Sequence, residues 1–281
     1  MPNGNTAPAQ IRNPQSAIRN GAAFTLIEIA ICLAIIGFAL IAIIGVLPYG
    51  LNTQRDVREE TIINQDATVL MEAIRNGARQ SDYLTNYVYA ITNYWQDYDN
   101  SGVPQNSGTD GYTYTDATIR GNPYPYLALT NGANILGVLS LPEFTDGWGG
   151  IALADTSGRA YVSNRVVAYV RSISGLAVEK PPQNNQIMRE DALTYRLLCV
   201  NAPMPVDTNT FARNRFAQKL AGSQRELRLT FLWPQLPNGK VGNSRLTFRA
   251  TVGGQVAPTN YYGAGTPPLY FYQPQSFPNA P

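Results

Sequence analysis

The sequence predicts an α+β protein: a long N-terminal helix, membrane-spanning and then amphipathic, packed on an antiparallel β-sheet head. Two observations carry this. Residues 24–47, FTLIEIAICLAIIGFALIAIIGVL, are almost wholly apolar, and apolar residues recur at helical spacing well past them. Beyond residue 160 the pattern changes to short runs rich in β-branched and aromatic residues, some alternating with polar ones, as half-buried strands do. The 281 residues suffice for one large domain or two small ones. Twenty prolines and 24 glycines point to many turns after the helix.

The apolar run comes first. Its 19 uncharged residues Ile29–Leu47 span about 28 Å as a helix, close to the hydrocarbon thickness of a bilayer. A cleaved secretory signal has a shorter apolar region, with small residues after it. Here the small residues GAA precede the run, and PYGLNTQRD follows. Glu28 stands out, because Thr25 is the only other polar side chain in the run. An unpaired carboxylate at mid-helix costs on the order of 2.5–3.5 kcal/mol, less near a helix end, where it can reach the interface. Glu28 is therefore either a snorkelling side chain or one whose cationic partner another chain supplies. A free α-amino group made by nearby proteolysis is the fitting cation.

The segment FTLIEIAICLAIIGFALIAIIG closely resembles the N-terminus of type IV prepilins and type II secretion pseudopilins. The resemblance covers about the first 50 residues. It implies that a prepilin peptidase cuts between Ala23 and Phe24 and methylates the new Phe24 amine. It also implies that Glu28 docks on a neighbouring subunit's terminus during assembly. Gly is usual before the cut, whereas Ala23 stands there; a cut after Gly21 would spoil the spacing to Glu28. The leader carries Arg12 and Arg19 and no acid, which fits retention on the cytoplasmic side. The resemblance thus implies a single-pass protein of the bacterial inner membrane, with its head periplasmic or extracytoplasmic. The partners it implies are other pilin or pseudopilin subunits.

Five segments follow: a leader (1–23), a membrane helix (24–48), an amphipathic helical stem (49–95), a β-rich head (96–256) and a tail (257–281). In the stem Val57, Ile63, Ala67, Leu70, Ile74 and Ala78 form the apolar stripe, with Asp66 among the charged residues assigned elsewhere. RNG at 75–77 reads as a helix stop. Ser81-Asp82 starts a second helical segment through Leu84, Val88, Ile91 and Trp95. Residues 97–134 have loop composition. Strand signals follow at 160–173 and 193–200, and RELRLTFLW (225–233) with SRLTFRATV (244–252) reads as a hairpin around Asn238-Gly239. The tail has six prolines and six aromatic residues, which fit a cover over the head. Gly37, Gly45 and Pro48 weaken the membrane helix, as small packing residues or as points of melting.

Two further motifs carry chemistry. DYDNSG (97–102) places Asp97, Asp99 and Ser101 like the first half of a calcium loop. Gly108 stands where the bidentate glutamate belongs, and Asp110 is the nearest substitute. The alternative is an Asp-rich turn that bonds its own backbone. TDGWGG (145–150) lacks the context of a phosphate loop and reads as a tight turn with Trp148 on the core.

Composition narrows the function. There is no histidine, which removes Ser-His-Asp hydrolases, Cys-His proteases and His-ligated metals. Cys32 and Cys199 read as small buried apolar residues. With 2 of the 21 basic residues in the leader, 19 basic residues face 19 acidic ones from Glu28 onward, a poor match for nucleic acid. The reading is a structural subunit and not an enzyme, a minor pilin or pseudopilin with no required cofactor. The alternative is a non-polymerising membrane-anchored binding or adhesin domain.

Overall fold

The computed structural model describes residues 24–77, 81–99, 101–146, 150–151, 161–174, 193–204, 222–236, 238–260, 262–263 and 266–274. The chain divides into two compact units, 1–56 and 57–281. One helix, α1 (Leu26–Asn76, 51 residues), contributes to both. No described side chain up to Asp56 is buried, and α1 is long and apolar enough to cross a membrane. Pro48 lies inside it without ending it.

From Val57 onward α1 belongs to the head, where it buries Ile63, Asp66, Ala67, Leu70 and Ile74 against the sheet. Burying each large aliphatic side chain stabilises the head by roughly 1.5–3 kcal/mol. Val57 is instead exposed, and Ala78 lies outside the described residues. Asp66 corrects the sequence reading: it is fully buried. Its position explains why. Three residues after Ile63 and four before Leu70, it sits in the middle of the apolar stripe. Its carboxylate accepts from Ile173 N (2.9 Å), Ser174 N (2.8 Å), Tyr195 Oη (2.9 Å) and Ser174 Oγ.

The second helical segment expected at 81–95 is also corrected. A single 3-10 turn, Asp82–Asn86, leads into β1 (Val88–Tyr98). The stem is therefore helical only to Asn76. Val88, Tyr89, Ile91, Thr92, Tyr94 and Trp95 favour a pleated, half-buried surface, and that preference overrides the helical spacing. Residues 97–134 hold more order than their composition suggests: β2 (Pro104–Tyr112), β3 (Ala117–Ile119), β4 (Asn122–Pro123) and the start of α2 (Gly132–Leu139). Most of α2 is buried, and Asn131 caps it by accepting from Asn134 N at 2.7 Å.

Then come β5 (Phe144–Asp146), β6 (Gly150–Ile151), β7 (Tyr161–Arg171), β8 (Thr194–Pro203), β9 (Gln224–Gln235) and β10 (Val241–Gly253). Among the described residues these strands form one antiparallel sheet ordered β10-β9-β8-β7-β1-β2-β3-β4, with β5 paired to β7 and β6 paired to β5. The expected hairpin is β9–β10, with Leu246 opposite Phe231 and Phe248 opposite Leu229. Leu227, Leu229, Phe231 and Trp233 are buried as their alternation requires. Cys199 lies buried on β8, whereas Cys32 is exposed on α1. The tail folds back as β11 (Gln255–Thr259) and β12 (Leu269–Gln273), burying Leu269, Tyr270 and Tyr272. Trp148 lies outside the described residues.

Burial pushes the Asp66 carboxyl above the usual carboxylate range, and its Ser174, Ile173 and Tyr195 donors pull it back only in part. The folded chain thus binds this proton more tightly than the unfolded chain does. Asp66 favours folding most below its unfolded value, about 3.9, and less as pH rises through the folded value. In detergent, Asp66→Asn should lower unfolding free energy at neutral pH by about 2–4 kcal/mol, because an amide N–H cannot receive the donors that meet the carboxylate. It should also flatten the decline in stability above about pH 4. Denaturation across pH tests both.

Candidate functional site

The start of α1 explains Glu28 within a single chain. Thr25 accepts the first helical hydrogen bond, from Ile29 N to Thr25 O at 3.2 Å. Glu28 Oε2 accepts from Thr25 N and from Thr25 Oγ1, each at 2.9 Å, and Glu28 N donates to Thr25 Oγ1 at 3.4 Å. This is a reciprocal capping box, Thr-x-x-Glu: Glu28 satisfies the Thr25 amide, and the Thr25 hydroxyl adds a second acceptor for Glu28 N, which also donates to Thr25 O at 3.1 Å. An acid in the first turn also suits the helix dipole. Both donors go to Oε2; among the described residues, none reaches Oε1. Phe24 stands exposed just before the cap, and Ala23 lies outside the described residues.

The four residues expected to share calcium are put to separate uses. Asp97, on β1, makes two parallel bonds of 2.9 Å to the Arg120 guanidinium. Asp99 accepts from Ser101 N (2.8 Å), Val103 N (2.9 Å) and Gln105 Nε2 (2.9 Å). The Val103 amide is the main cause holding its carboxyl below the usual range. This is the self-bonded turn weighed as the alternative, and Ser101 contributes its amide to it. Asp110 pairs across the ladder with Asn93, four residues along β1 from Asp97. Among the described residues no group of three or more His, Cys, Asp or Glu side chains is placed to hold a metal.

Asp110 belongs to a different constellation. It is 5% exposed and lines a cavity of about 60 Å³ with Asn93, Asn164 and Thr145. Asn93 Nδ2 donates to Asn164 Oδ1 at 3.1 Å and weakly to Asp110 Oδ2 at 3.4 Å. Asn164 Nδ2 donates to Pro142 O and Thr145 Oγ1, each at 3.2 Å. Among the described residues none donates a hydrogen bond to Asn93 Oδ1. Burial raises the Asp110 carboxyl above its usual range, against the lowering effect of the Arg120 amide and Asn93.

Arg120 closes this constellation from a strained position. Ile119 pairs with Asn122, so Arg120 and Gly121 form a two-residue turn, with φ of 52° and 80°. Such turns need left-handed backbone at both positions, which costs arginine roughly 1–2 kcal/mol. The turn brings Arg120 N to Asp110 Oδ1 at 2.8 Å and sets the guanidinium 3.4 Å from the Trp95 ring centroid. Trp95 in turn lies against Gly108, where a Cβ would stand 2.5 Å from the ring.

Sequence reasoning missed Thr25, Asn93, Arg120 and Asn164. Thr-x-x-Glu and the Arg-Gly pair were visible signals. The asparagines showed only as polar residues at inward positions of two strands. Compared with known proteins, the chain matches no family model, no curated protein and no solved structure.

Turn strain and lost contacts nearly cancel at Arg120. Its ion pair is about a quarter exposed and worth about 0–1 kcal/mol; its stacking adds about 0.5–1 kcal/mol. Arg120→Ala keeps the strain and should destabilise by about 1–2 kcal/mol. Arg120→Gly relieves the strain and should fall within about 1 kcal/mol of wild type. Thermal melts of the two variants test this ordering.

Proposed function

We propose that the chain is a structural subunit of a pilin-like filament, a minor pilin or pseudopilin of a type IV pilus or type II secretion assembly. Its precursor sits in the bacterial inner membrane with the leader cytoplasmic and the head outside the cytoplasm. Prepilin peptidase cuts between Ala23 and Phe24, and Phe24 becomes the methylated N-terminus.

One observation supports this most. Glu28 sits in the first turn of an exposed apolar helix, and its cap occupies Oε2 only. A carboxylate oxygen left without a donor is costly in hydrocarbon. A neighbour's α-amino group in a filament supplies both the missing donor and the opposite charge. The cap survives the cut, because the Thr25 amide remains in the mature chain. The subunit's other partners are further subunits that bury the apolar face of α1.

The cap and the charge are separable. Glu28→Gln preserves a capping box, which accepts either residue at this position, but removes the charge. Glu28→Ala removes both. Both variants should insert in the membrane, and both should fail to enter filaments purified from cells expressing partner subunits. Assembly of Glu28→Gln at the wild-type level would reduce Glu28 to a helix cap. Mass spectrometry of the wild-type mature terminus should show methyl-Phe24; a start beyond Leu47 would indicate an ordinary signal peptide.

A further inference from the structure

We propose that the cavity beneath the Arg120 turn binds a primary ammonium group carried on a short aliphatic stem. The inference is independent of filament assembly and rests on the balance of hydrogen-bonding groups around the cavity. Its polar side is acceptor-rich. Among the described residues Asp110 receives one good hydrogen bond, from the Arg120 amide, and one weak one from Asn93, while the buried Trp95 indole N–H bears on it without closing a well-formed bond. Asn93 is 2% exposed, and its Oδ1 receives no hydrogen bond from a described residue. The nearest cationic side chain, Arg120, has turned its guanidinium to Asp97. A buried carboxyl beside an unpartnered amide oxygen calls for a donor with positive charge.

The opposite wall selects what carries that charge. Ile119, Leu141, Val162, Pro267 and Pro268 line it, a surface suited to methylene groups. The volume, about 60 Å³, exceeds the roughly 10–15 Å³ that one water needs. A divalent ion is a poorer fit, because such ions gather several carboxylates or carbonyls and, among the described residues, Asp110 is the only acid lining the cavity. An anion would face Asp110 directly.

The ammonium has two chemical sources, a free small amine or a lysine side chain of a protein partner. Isothermal titration of the full-length protein in detergent micelles distinguishes them, with n-butylammonium standing for the first and Nα-acetyl-lysine amide for the second. At least one should bind saturably at one site, with n-butanol and butyrate at least about tenfold weaker. Tighter binding of the lysine amide would assign the site to a partner's side chain, and tighter binding of butylammonium to a free amine. Asp110→Asn, nearly isosteric, should weaken amine binding by at least about tenfold. The comparison among wild-type ligands stands even if that variant does not fold. Equal affinity for n-butanol, preference for calcium, or no saturable amine binding would each overturn the proposal.

Discussion

A buried carboxylate on one helix, met by three donors from the bend after β7 and one from β8, fixes how the head is built. Asp66 interrupts an apolar stripe whose other members, Ile63, Ala67, Leu70 and Ile74, supply the hydrophobic free energy. Those side chains are non-directional, and several registers of helix against sheet would bury them comparably. Asp66 tolerates far fewer. Its oxygens must meet Ile173 N, Ser174 N, Ser174 Oγ and Tyr195 Oη together. A slip of one turn would leave a buried charge and several donors unsatisfied, a cost larger than any single apolar contact returns. The apolar residues thus supply the energy, and Asp66 selects the register.

Glu28 applies the same logic under different conditions. Both carboxylates stand where the surrounding pattern asks for an apolar side chain, and both are retained by directional donors. Asp66 finds all of its donors in its own head. Glu28 finds two in Thr25, both on one oxygen. That difference separates a carboxylate with both oxygens met from one with an oxygen left over, the feature on which the proposed filament contact rests. In the head the helix register follows from Asp66, the strand order places β1 beside β2, and that pairing sets Asn93 opposite Asp110. The polar side of the cavity is therefore held by the sheet, while the Arg120 turn, Leu141 and the Pro267-Pro268 segment complete its wall.

The parts legible in the sequence are those where one face decides everything. The α1 run is too long and apolar to be anything but a helix. The β9–β10 hairpin combines alternation over most of its length with Asn238-Gly239, so the pairing of these two strands was legible. The β1 segment was ambiguous because Val88, Ile91 and Trp95 satisfy a helical spacing about as well as an extended one. β2 was hidden for another reason: most of it is exposed, and only Asp110 and Tyr112 are buried, so no hydrophobic pattern marks it. Asp66 was misplaced because charge was read before position. The cavity residues come from β1, β2, β3 and the turn after it, the segment between α2 and β5, β5, β7 and the tail, and a juxtaposition across so many segments leaves no local pattern.

Asp66 locks the bend just after β7 to α1, and amide hydrogen exchange at Ile173 and Ser174 reads that lock. If the lock holds, these two amides open only when the whole head unfolds, with protection equal to that of Leu197 and Phe231 in the middle of the sheet. Exchange at Ile173 and Ser174 through a separate, low-energy opening while Leu197 and Phe231 remain protected would contradict it.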